Sequence, residues 1–133
     1  MFSFLLGSCD NNQRTPSKLR LESTGNIKLP STFTVLKDEF QDMGQDYVLY
    51  YDLQFDISSM RSLTISIKKS RLYHADGSSA MYSDSIMNRK PNDFSVWYPI
   101  STGYEFNGKD GAVLYTIKVD TTLNTLKYQE YVL

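Results

Sequence analysis

The sequence predicts an α+β domain: a curved antiparallel sheet of five to seven strands with one helix packed on a face. Three observations lead there. Ten tyrosines and seven phenylalanines enrich the chain in residues that favour strands. In the clearest segments apolar side chains recur at every second position, the period of a half-buried strand, and between 57 and 72 that period becomes helical. The connections between strand-like runs are short, which implies antiparallel pairing. A small β-barrel or sandwich is the alternative architecture.

The elements follow in chain order. Residues 18–29 (KLRLESTGNIKL) read as two short edge segments around the turn signal Thr24-Gly25-Asn26, and Pro30 interrupts. Residues 32–40 predict a strand with Phe33 and Val35 on one face, and 41–46 (QDMGQD) a turn around Gly44. In 47–56 (YVLYYDLQFD) Tyr47, Leu49, Tyr51, Leu53 and Phe55 alternate with polar residues, which assigns those five to the core face. The two strands should form a hairpin. In 57–72 (ISSMRSLTISIKKSRL) Met60, Leu63 and Ile67 fall at helical spacing. Asp56 or Ser58 can cap the start, and Lys68, Lys69 and Arg71 suit the negative C-terminal end.

Residues 74–93 form a long connection containing Gly, Pro, Asn and several Asp and Ser. Loops of this length are uncommon in small domains and are often functional. Residues 94–100 (FSVWYPI) predict a strand with Phe94, Val96 and Tyr98 toward the core and Trp97 pointing outward between Ser95 and Pro99. Ser101-Thr102-Gly103 reads as a turn, Tyr104 to Phe106 as a short strand, and Asn107-Gly108-Lys109-Asp110-Gly111 as a turn. Residues 112–119 alternate through Val113, Tyr115, Ile117 and Val119. Asp120 to Asn124 turns, and 125–131 closes the sheet.

With 133 residues the chain fits one domain with one real core. The net charge is −1, and the 14 basic residues are dispersed, without the basic footprint of a nucleic-acid binder. One cysteine, Cys9, excludes an intrachain disulfide framework. With one histidine, His74, it does not supply the donors of an ordinary structural zinc site.

The first residues are unlike the rest. Phe2 to Leu6 is apolar but far too short to span a bilayer. It ends in Leu6-Gly7-Ser8-Cys9, followed by polar, proline-containing Asp10 to Ser17 (DNNQRTPS). The Leu-Gly-Ser-Cys stretch resembles the lipobox of bacterial lipoproteins, and its style is similar to small lipoproteins of Bacteroidetes. The resemblance implies that Cys9 carries the lipid and becomes the first mature residue, with 1–8 a residual signal segment. Several acyl chains on one residue anchor firmly. Residues 9–17 would then be a tether, and 18–133 the single domain.

Chemistry-bearing motifs are otherwise scarce. The sequence contains no GxSxG, HExxH, CxxC, GxGxxG or P-loop pattern. His74, Asp76, Ser78 and Ser79 form a polar-loop grouping rather than a recognisable triad. Asp38, Glu39, Asp42 and Asp46 gather at the first hairpin, as acids do in solvated turns, without a known calcium-loop spacing. The aromatic group Trp97, Tyr98, Tyr104 and Phe106 is the best binding candidate, because aromatics dominate binding hot spots; the competing reading makes Trp97 core. The expectation is a non-enzymatic, lipid-anchored lipoprotein on the periplasmic face or surface of a bacterial envelope. It would need no cofactor and no metal, and would bind through the 74–93 loop and the Trp97 region. A periplasmic immunity protein is one version. A carbohydrate-binding accessory or a small envelope enzyme is the alternative.

Overall fold

A computed structural model describes residues 15–76 and 93–132. The expected signal segment, Cys9, most of the tether and residues 77–92 of the long connection lie outside the described residues. The element order is α1 (Ser17–Gly25), β1 (Thr34–Met43), β2 (Asp46–Gln54), α2 (Ile57–Lys69), β3 (Phe94–Ile100), β4 (Gly103–Asp110), β5 (Val113–Asp120) and β6 (Thr125–Val132). The six strands form one sheet in the order β1-β2-β6-β5-β4-β3, antiparallel throughout. The fold is therefore α+β, with two helices where the sequence reading expected one.

Strand β2 behaves as its alternation requires: Leu49, Tyr51 and Leu53 are buried, as is Phe55 just beyond it. The same face carries Phe106 of β4, Ile117 and Val119 of β5, and Leu126 and Tyr128 of β6, all in one core cluster. Met60, Leu63 and Ile67 of α2 and Leu21 of α1 belong to that cluster, so both helices bury side chains on one side of the sheet. Each such burial contributes roughly 1.5–3 kcal/mol. Helix α2 starts where Asp56 accepts a hydrogen bond from the Ser59 N–H at 2.7 Å, and Lys68 and Lys69 sit in its last turn, complementing the helix dipole.

Helix α1 replaces the first of the two expected edge segments. Its sequence gives little helical periodicity: Leu21 is fully buried and Leu19 is 52% exposed, a spacing of two that imitates a strand. The Thr24-Gly25-Asn26 signal does mark a chain reversal, but it is a helix C-terminus. Asn26 adopts the left-handed conformation, and the Ile27 N–H closes on the Glu22 carbonyl at 3.2 Å, as at many helix ends.

Two turns fall elsewhere than expected. β1 runs on to Met43, and its turn is confined to Gly44 and Gln45. The Asn107-Gly108 pair lies inside β4, and the chain reverses at Gly111, whose φ is +63°. Gly108 is a packing residue: a Cβ there would lie 2.9 Å from the Phe106 ring. A glycine needed for close approach gives the same sequence signal as one needed for a turn.

Candidate functional site

The aromatic group predicted as a binding surface is divided between the two faces of the sheet. Trp97 does not point outward. It is fully buried in the main core, with its ring centroid 5.4 Å from that of Phe106. Its Nε1–H donates to the Gly25 carbonyl at 2.7 Å, a contact that the end of α1 provides. The expected orientation is reversed because β3 is buried on both faces: Val96 and Tyr98 are also buried, in a separate cluster flanked by Phe94 and Ile100. Alternation cannot identify the core side of a strand that has no wet side. Tyr104 faces the Trp97 side, edge-on to Tyr73 at 6.1 Å.

Tyr98 lies on the opposite face. Its hydroxyl donates to Glu105 Oε2 at 2.7 Å and accepts from the Asn107 amide, which also donates to Glu105 at 3.0 Å. Burial, then the bond to Glu105, raises the tyrosine pKa. Trp97, Tyr98 and Tyr104 therefore do not form one contact surface.

The strongest polar constellation comes from residues that the sequence reading did not single out as a site. Glu130 of β6 is 2% exposed. Its carboxylate takes a forked pair of bonds from Arg20 of α1, Nη2 to Oε2 at 2.6 Å and Nε to Oε1 at 3.3 Å. The Tyr128 hydroxyl donates to Oε1 at 2.6 Å, and the Tyr47 hydroxyl donates to Oε2. Thr24 Oγ1 lies 3.2 Å from the Tyr128 hydroxyl. Burial pushes the Glu130 carboxyl up, but the bonds from Arg20, Tyr128 and Tyr47 together outweigh it and hold the group below its ordinary value. Desolvation, then the bond to Glu130, pushes Tyr47 up to about 12. A cleft of about 290 Å³ lined by Leu19, Arg20, Ser23, Tyr115 and Glu130 opens beside the cluster.

Four donors satisfy the four lone-pair positions of a carboxylate. Glu130 is therefore spent as an acceptor, and the cluster fixes α1 on the sheet rather than offering a base to a substrate. The sequence does hold a signal for it. Leu126, Tyr128 and Glu130 share one face by alternation, and a charge on a buried face requires a partner.

The face of the sheet opposite the helices is chemically different around β2, β6 and β5. A cleft of about 460 Å³ there is lined by Tyr50, Asp52, Thr116, Lys118, Lys127, Gln129 and Tyr131, together with Tyr128. Lys118 and Lys127 stand directly opposite each other, and the Lys37 ammonium lies 4.5 Å from the Tyr50 ring centre. The acids of the first hairpin stay solvated: Asp38 accepts from Ser17 Oγ at 2.6 Å and Asp42 from the Gly44 N–H at 3.0 Å. Among the described residues no group of three or more metal-ligating side chains converges. His74 contributes its backbone N–H to the Trp97 carbonyl at 2.9 Å, while Ser78 and Ser79 lie outside the described residues.

No family model, curated protein or solved structure matches this chain. Among the described residues no helix is long and apolar enough to cross a membrane.

Proposed function

We propose that this chain is a non-enzymatic bacterial lipoprotein of the cell envelope, held to a membrane by lipid on Cys9 and acting as a binding or interaction module. The observation that carries the anchor is Leu6-Gly7-Ser8-Cys9 followed by a polar, proline-containing stretch. The reading of the domain as a binder draws support from the division of its chemistry. The buried carboxylate is saturated by internal donors, while a polar sheet face and one sheet edge carry the accessible groups. A periplasmic immunity protein is one job that such an anchored domain could perform.

The anchor is tested by fusing a basic, apolar leader to the chain, expressing it in a bacterial host and partitioning it in detergent. The parent should enter the detergent phase and Cys9→Ser the aqueous phase. Equal partitioning of the two processed proteins refutes the anchor.

A second reading, a carbohydrate-binding accessory, is favoured by Tyr50, Gln129 and Tyr131 around the 460 Å³ cleft, a volume in the range of small-ligand sites. Calorimetry against soluble oligosaccharides, with Tyr131→Ala as control, tests it. Heat that persists unchanged in the variant removes this site.

A further inference from the structure

The two edges of the sheet are finished differently. At β3, residues 72–74 run alongside the strand: the Trp97 N–H donates to the Leu72 carbonyl at 2.8 Å and the His74 N–H to the Trp97 carbonyl at 2.9 Å. Backbone N–H groups on one side of a strand recur at every second residue. The outward donors of β3 are therefore those of Ser95 and Trp97, with Pro99 occupying the next place and having none. That edge is closed to a further strand through most of its length.

β1 is the opposite case. It is ten residues long, none of them buried. It pairs with β2 on one side, and among the described residues no strand or bridge lies on the other. Half of the large exposed apolar side chains among the described residues belong to it: Val35, Leu36, Phe40 and Met43. Asp38, Glu39, Asp42 and, just past the turn, Asp46 outnumber the single lysine, Lys37, and among the described residues none of the five is in an ion pair.

We infer that the β1 edge accepts an extended, basic segment of a partner protein as a seventh, antiparallel strand. This inference rests on the interaction-module reading above and names the chemistry of the partner. Strand addition takes its affinity from main-chain hydrogen bonds and its selectivity from alternate side chains. Residues directly opposite across antiparallel strands share a face. β1 therefore asks for a basic residue opposite each of Asp38, Glu39 and Asp42, and an apolar one opposite Val35 and Met43. Net charge argues for a basic partner over a second copy of this chain: Asp38, Glu39, Asp42 and Asp46 against one lysine leave this edge negative, and pairing two such edges brings an excess of like charge together. The bulge between Val35 and Lys37 bends the strand at its start, leaving residues 37–43 as the regular platform.

The test uses the full chain carrying Cys9→Ser and three synthetic decapeptides. The first alternates Val and Thr with three lysines set to meet the three acids. The second carries glutamates in place of the lysines. The third is the lysine peptide N-methylated at alternate amides. Calorimetric titration should show the lysine peptide binding at least tenfold more tightly than either of the others. Glu39→Lys with Asp42→Lys should remove that preference while thermal melting stays unchanged. Equal affinity for the lysine and N-methylated peptides reduces the effect to charge attraction and overturns strand addition. Absence of binding by all three peptides also overturns it. Sedimentation showing a concentration-dependent dimer abolished by Val35→Lys overturns it in favour of a second copy. None of these outcomes depends on Cys9, so the detergent experiment stands or falls separately.

Discussion

The two edge strands share a sheet and little else. β3 buries Val96, Trp97 and Tyr98 in succession, meets a glycine carbonyl of α1 with its indole, and has its outer side taken by residues 72–74. β1 has no buried residue, and among the described residues it pairs with β2 while Asp38 accepts from Ser17. One edge is held by side-chain packing, the other by a backbone ladder. Ladder hydrogen bonds exchange with water at small net gain, whereas buried aromatic area does not return cheaply to water. An edge strand can therefore be essential to stability or contribute little to it, and the β1 edge, unpaired among the described residues, is the one proposed above for binding.

The contrast can be broken most severely at Trp97. Trp97→Ala should destabilise the domain by about 3–5 kcal/mol, read from the midpoint of urea unfolding, because it empties the core beside Phe106 and strips the Gly25 carbonyl of its donor. A loss no greater than that of a surface substitution would show that α1 does not cover β3 as described.

Glu130 comes next. Removing one partner of a buried ion pair leaves the other uncompensated, and Arg20 is partly exposed. Glu130→Gln should therefore cost about 3 kcal/mol, the low end of that class, and loosen α1 from the β2–β6 side of the sheet. The same carboxylate sets an acid dependence. Its folded pKa is lower than its unfolded one, so its contribution is fully present above the ordinary carboxyl value of 4.5. That contribution is lost as pH falls through the folded value. Unfolding followed from neutral pH to about pH 3 should show a slope that Glu130→Gln reduces. An unchanged slope would mean that other carboxylates carry it.

A smaller effect belongs to Asp56→Ala, which removes the α2 cap and should cost about 1 kcal/mol by the same measurement. Val35→Thr, at a position 49% exposed, should stay within about 0.5 kcal/mol of the parent. Hydrogen exchange sharpens the comparison without mutation. The Trp97 amide should exchange on the timescale of global unfolding, and the outward amides of β1 far sooner. Comparable protection at both edges would indicate that something already covers β1.

Local periodicity carried much of the architecture. Tyr47 to Phe55 assigned the core face of β2, Met60, Leu63 and Ile67 assigned the buried stripe of α2, and Val113 to Val119 assigned β5, because each segment has one wet and one dry side. The candidate site was legible to a lesser degree. Trp97 and Tyr98 were singled out for their chemistry, but they lie on opposite faces, one in the core and one bonded to Glu105. Arg20 and Glu130 were missed because the pair is 110 positions apart in sequence and each half alone looks like an ordinary charged residue.

What the sequence determined by itself was the sheet-rich α+β class, the strand hairpins and the capped amphipathic helix, all of which depend on neighbours within a few positions. Only the tertiary structure decided that Ser17 to Gly25 is helical, that Trp97 turns inward, that Gly108 serves packing instead of a turn, and that, among the described residues, one sheet edge is closed while the other is not. Each of these depends on which distant surface arrives to exclude water, and no local pattern encodes that arrival.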